Sequence, residues 1–199
     1  MRVLLVSSLS LVAALLPLAA VGQDHQHDAQ STPYAGYETR EIKSLSDQDI
    51  EALRRGDGWG LALPAELNGR PGPAHVLELR DALGLSAAQV KAVTAIFEEM
   101  RSEAIAAGER YIAAEAALSD AFVGADPSED VLLDLLAEAA QARAALRFIH
   151  LSRHLSTPKL LSAAQIERYT LLRGYSVDPC LVTPDGHDPT MWRRHNGCD

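Results

Sequence analysis

The sequence predicts an all-α fold built on an elongated antiparallel helical hairpin with shorter helices at its flanks. Two long stretches carry apolar residues in alternating steps of three and four, and Gly/Pro clusters separate them from their neighbours. No segment alternates apolar and polar residues as a half-buried strand would. Aromatic residues make up only 5% of the chain, too few for a large rigid core.

The first segment runs Met1-Arg2, then almost wholly apolar from Val3 to Ala20, then Val21-Gly22-Gln23-Asp24. A positive residue, an apolar stretch and a small-residue end predict a secretory signal peptide over 1–22, cut after Gly22. The alternative is an uncleaved anchor, since about 18 apolar residues just span a bilayer; Pro17 and the small-residue end favour cleavage. No Cys follows the cut, which argues against a lipoprotein anchor, and no stable membrane insertion is expected afterwards. Residues 23–44, rich in Gln, Asp, His, Ser and Pro, read as a disordered arm.

A helical domain follows over 45–175. Ser46 to Arg55 predicts a short helix stopped by Gly56-Asp57-Gly58. The glycines of 56–60 form a turn rather than a phosphate loop, because no strand precedes them and no Lys-Ser/Thr follows. Asn68-Gly69-Arg70-Pro71-Gly72-Pro73 breaks the chain again, and Val76, Leu79 and Leu83 predict a helix over 75–83 ended by Gly84.

The first long arm carries Val90, Val93, Phe97, Met100, Ala104, Ala107, Tyr111, Ala114 and Leu118; the second carries Leu132, Leu135, Ala139, Ala142, Leu146 and Ile149. This 3.5-residue period predicts two helices packed along a narrow seam. Each arm spans about 45–55 Å at 1.5 Å per residue. Between them, Asp126 is the expected N-cap, Pro127 the first helical residue and Glu129 the capping-box partner. Thr157-Pro158 ends the second arm, and 162–173 predicts a last helix stopped at Gly174.

The tail, 176–199, holds both cysteines, Cys180 and Cys198. In an oxidising compartment this pair predicts a disulfide, worth ~3 kcal/mol by chain entropy. A thiolate zinc site needs about four ligands and only two thiols exist.

The formal net charge is −9, and loss of 1–22 removes Arg2, giving −9 − 1 = −10. An acidic chain without a basic patch excludes nucleic acid as the expected partner. Catalysis is not expected either. Ser152 and His154 point apart on a helix with no acid to orient the His, and Glu98, Glu99, Glu103, Glu109 and Glu115 lie off the seam as a solvated face.

One motif occurs twice: Leu85-Ser86-Ala87-Ala88-Gln89-Val90 and Leu161-Ser162-Ala163-Ala164-Gln165-Ile166. In each, Ser is an N-cap, Gln three residues on closes a capping box, and Leu before the cap can staple onto the fourth helical position. Each copy alone is simply a good helix start. Two Leu-Ser/Thr-x-x-Gln copies bracketing a hairpin behind a signal peptide resemble the Spy/CpxP family of periplasmic proteins. The extension Glu167-Arg168-Tyr169, then Leu172-Arg173-Gly174-Tyr175, is also similar to that family, and the likeness covers roughly 75–175. It implies a four-helix, often dimeric, cradle-shaped fold. Members include ATP-independent chaperones, inhibitors of envelope-stress sensor kinases, and ZraP- and CnrX-like metal-binding proteins.

Three candidate sites follow. Arg143, Arg147 and Arg153 are the candidate client-binding cations of the second arm. His150 and His154, spaced i, i+4, share a face and make a usable metal pair. They resemble the His-x-x-x-Met pair of CnrX-like sensors, with His154 where a Met would stand. The competing reading of both is a basic, solvated flank. His75 joins as a third ligand if its helix packs across the arm. If cleavage follows Gly22, His25 becomes the third mature residue, where a free amine, two amides and an imidazole suit square-planar Cu or Ni; the alternative is a polar linker.

The expected function is that of a periplasmic binding protein, an ATP-independent chaperone or envelope-stress accessory, forming a homodimer and requiring no cofactor. The alternative is a Zn, Cu or Ni sensor or resistance protein.

Overall fold

The structure, a computed structural model, describes residues 32–198. The expected signal peptide and His25 lie outside the described residues. The chain divides into two units, Met1–Ala35 and Gly36–Asp199; of the first, residues 32–35 form a turn closed by the Ala35 N–H on the Thr32 carbonyl at 2.9 Å. All regular structure among the described residues of the second unit is helical, as expected: α1 (Asp47–Arg55), α2 (Leu63–Glu66), α3 (Pro73–Glu78), α4 (Ala87–Asp120), α5 (Glu129–Ser156), α6 (Ala163–Leu172) and α7 (Pro189–His195), with 3-10 turns at Tyr37–Thr39 and Thr157–Leu160. None of the described helices is long and apolar enough to cross a membrane.

Local chemistry sets the helix ends. Ser46 caps α1, its hydroxyl accepting from the Asp49 N–H at 3.1 Å while the Asp49 carboxylate accepts from the Ser46 N–H at 2.9 Å. Gly56, at φ +71°, ends α1 in the left-handed region. Ser86 and Ser162 each close the expected capping box with Gln89 and Gln165. The two boxes also meet: Gln89 Nε2 donates to Gln165 Oε1 at 2.8 Å and to the Leu160 carbonyl at 2.8 Å. Leu85 and Leu161 pack beside this junction against a core of Val76, Leu83, Val93 and Tyr169.

The larger core lies along α4 and α5. Ala104, Ala107, Tyr111 and Ala114 share it with Ala139, Ala142 and Leu146, as the seam predicted. Large side chains come from elsewhere: Ile42, Leu45, Ile50, Leu53 and Leu61 close the same core. Burying each Leu or Ile contributes roughly 1.5–3 kcal/mol.

Four expectations are corrected. Residues 36–44, expected within a disordered arm, pack on α4: Ile42 is buried, and Ser44 Oγ donates to Glu115 at 2.6 Å. The apolar pair Ile42 and Leu45 holds the segment down. α5 begins at Glu129 with Ser128 as its N-cap, the hydroxyl accepting from Val131 at 3.4 Å; Pro127 holds its predecessor extended, so Asp126 lies outside the helix. The helix expected over 75–83 is α3, Pro73–Glu78, started by Pro73 at its first turn and followed by turns to Gly84. The helices α2 and α7 were not anticipated.

The tail carries the expected disulfide, Cys180–Cys198, with S–S 2.03 Å. Arg193 ties the loop, donating to the Cys180 and Cys198 carbonyls at 2.8 Å each.

α1 crosses α4 at Gly108, where an added Cβ would lie 2.7 Å from the Leu53 carbonyl oxygen. Backbone cannot yield as a flexible side chain does. Gly108→Ala should therefore cost about 1–3 kcal/mol despite Ala's better helix propensity. Denaturant melts check this; an unchanged or raised midpoint would show that the crossing is loose.

Candidate functional site

The most unusual side chain in the fold is Glu66, the last residue of α2, only 4% exposed. A buried carboxylate persists only when its oxygens are satisfied. Its Oε1 accepts from the Tyr169 hydroxyl of α6, from His75 Nδ1 of α3 at 3.1 Å and from the Tyr175 hydroxyl at 3.2 Å. Arg173 Nε lies 3.6 Å away. With Nδ1 donating to Glu66, His75 presents Nε2 as an acceptor to Arg173 Nη2 at 3.4 Å.

The other oxygen, Oε2, has no hydrogen-bond partner, and neither does Nε2 of His150. His150 and His154 face inward from α5, 2% and 7% exposed, which overturns the solvated-flank reading of that pair. They lie on the seam-ward face of α5, one turn apart, beneath α2 and α3. His154 donates from Nδ1 to the Arg70 carbonyl at 2.6 Å, with Glu66 Oε2 3.7 Å from the same nitrogen. Only glycine fits at position 72, since a Cβ there would collide with the His154 ring.

Glu66, His75, His150 and His154 line one cavity of about 550 Å³, walled by apolar side chains including Trp59, Leu63, Phe97 and Met100. Trp59 sits at φ +42°, unusual for a bulky residue. Its indole Nε1 donates to Asp49 Oδ1 at 2.8 Å, which fixes the ring.

The electrostatics follow from these contacts. Burial opposes ionisation of Glu66, but the hydrogen bonds from His75 and Tyr169 outweigh it and lower its pKa to about 2. Burial, then the bond to Glu66, pushes the Tyr169 phenol well above its ordinary range. Burial, then the neighbouring His154, lowers the pKa of His150, so its ring stays neutral at neutral pH.

The expected cations separate. Arg143 is exposed and lies over the Trp59 ring at 5.8 Å, and Arg147 is exposed. Arg153 is tied down, donating to Glu103 at 2.7 Å with Glu99 at 3.7 Å, its side chain only 16% exposed. It is therefore not a free cation for a client. His75 lies on α3, which packs on α4, and it is linked to His154 through Glu66. Among the described residues, no group of three or more His, Cys, Asp and Glu side chains is arranged to hold a metal ion.

Sequence reasoning missed Glu66, which sits as a lone acid among Leu61, Leu63 and Leu67. An acid on a short apolar stretch was its only sign. Tyr169, Arg173 and Tyr175 had been singled out in the motif's extension, without the contact that gives them a role.

Because the Glu66 pKa falls from 4.5 to about 2 on folding, ionised Glu66 stabilises the native state fully above about pH 5, and this is lost as pH falls through 2. The contribution is on the order of 3 kcal/mol. Glu66→Gln should flatten the stability profile measured by urea melts from pH 6 to pH 2.5; a slope equal to the parent's would mean other carboxylates dominate.

Compared with known proteins, the chain matches no family model, no curated protein and no solved structure.

Proposed function

We propose that this is an extracytoplasmic helical binding protein, a chaperone or stress-response accessory that holds unfolded or partner segments on the outward face of α5. One observation carries this reading. Leu133, Leu136, Phe148 and Leu155 are exposed on α5, and with Ala140, Ala144 and Leu151 they repeat in steps of three and four away from the seam. A soluble helix ordinarily keeps one apolar stripe for its own core. A second stripe beside the exposed guanidinium groups of Arg143 and Arg147 suits weak, reversible holding of extended chains. The Cys180–Cys198 disulfide fits an oxidising compartment such as the periplasm. The paired α4 and α5 and the two Leu-Ser-x-x-Gln caps support the likeness to a Spy/CpxP hairpin, from which the cradle shape and homodimer are carried over.

A second reading is favoured by the unpartnered Glu66 Oε2 and His150 Nε2, which border one cavity with His154 and His75. On that reading the protein senses or sequesters Zn, Cu or Ni, with side-chain rotation bringing the ligands together.

Arg143→Glu/Arg147→Glu should weaken suppression of aggregation of a thermally unfolding enzyme severalfold, and raised salt should weaken it in the parent. His150→Gln/His154→Gln should leave it unchanged. The metal reading expects the opposite: Zn, Cu or Ni raises the melting temperature of the parent but not of the His variant. If metal stabilises only the parent and neither variant alters suppression, the second reading replaces the first.

A further inference from the structure

We infer that the Glu66 cavity is a binding site for a small organic ammonium ion with an apolar body, a site separate from the outward face of α5. The cavity has the size and make-up of a small-molecule pocket: about 550 Å³, with mostly apolar walls and Glu66, His150 and His154 among its lining residues. Those groups share one character. Glu66 Oε2 is an acceptor with no donor. His154 donates through Nδ1, which leaves its Nε2 a lone pair. His150 Nε2 is buried and unpartnered, so it too can accept. Unpaired buried acceptors are costly, and the ligand that relieves them must bring donors.

A primary ammonium brings three N–H donors and a positive charge to meet the carboxylate. Trp59 and Phe97 offer π faces for a cation or an attached ring, and Met100 and Leu63 offer apolar contact. The cations at the cavity's edge are already engaged. Arg55 pairs with Asp57 at 2.8 Å, and Arg101 donates to the Arg55 carbonyl at 3.1 Å. Arg173 serves Glu66 from the Oε1 side, leaving Oε2 for the ligand. A bare metal ion would need several ligands converging on one point, and the described residues hold no such group.

The test uses the disulfide-bonded mature chain carrying Trp192→Phe, so that Trp59 is the fluorophore, titrated with 2-phenylethylamine, 2-phenylethanol and zinc chloride. The expected result is saturable quenching by the amine, at least tenfold weaker binding of the alcohol, and at least tenfold loss of amine affinity in Glu66→Gln. If Glu66→Gln fails to fold by circular dichroism, Ala62→Trp, which fills the cavity wall from a half-buried position, should abolish amine binding. Equal affinity for amine and alcohol, or amine binding that survives Ala62→Trp, overturns the inference. So does a response to zinc alone, which would favour the metal reading of the same cavity. None of these three outcomes reads aggregation, which is the readout of the α5 reading.

Discussion

The buried carboxylate of Glu66 is the contact on which the packing of α2, α3 and α6 together depends. Taking a charge out of water costs several kcal/mol unless hydrogen bonds replace the lost hydration. Here Tyr169, His75 and Tyr175 all donate to one oxygen, with Arg173 beside it. These donors come from α3, from α6 and from the turn after α6, while the acceptor ends α2. Four short pieces of chain, none able to stand alone, are thereby fixed to one another. The arrangement is one-sided: Oε1 takes every hydrogen bond, and Oε2, 3.7 Å from His154 Nδ1, is left buried without one.

The paired glutamines do the same work at the other end of this small core. Each capping box fixes the start of its own helix, as any box does. Because Gln89 and Gln165 also bond to each other, the starts of α4 and α6 are held side by side. That places Tyr169, two turns into the region α6 opens, under α3 where it meets Glu66. The repeated motif thus acts as a clasp as well as two caps.

The sequence made some of this legible and not the rest, for identifiable reasons. Periodicity found α4 and α5 because their apolar spacing is sustained over many turns, and the caps at Ser86 and Ser162 follow from side-chain chemistry within four residues. The disulfide followed from two cysteines alone in the tail. What stayed hidden is long-range. The Gln89–Gln165 and Glu66–Tyr169 pairs are separated by 76 and 103 residues, and no local pattern announces either. The burial of His150 and His154 is not legible in the sequence, because helical spacing shows that two residues share a face, not which way the face points. Arg153 reads in the sequence as a client-binding cation, and only the fold brings Glu99 and Glu103 of α4 against it.

The composition of the seam explains why the flanking segments matter. Ala104, Ala107, Ala114, Ala139 and Ala142 let α4 and α5 approach closely, but alanine buries little apolar area. Leu45, Leu53 and Leu61 supply the bulk that the seam lacks, so the segment from Ile42 to Leu61 is part of the main core and not an appendage. Gly56 and Gly108 permit this, since a Cβ at either would meet backbone across the α1–α4 crossing. Once α1 is laid across α4, the chain must turn sharply at 56–60, carrying Trp59 into its unusual conformation, and then run back through α2 and α3 over the inward histidines of α5. The cavity is the space this route leaves over Phe97, Met100 and Arg101 of α4 and the inward histidines of α5. Its polar floor and apolar walls therefore follow from the same constraint, two thin helices that need a third layer to complete their core.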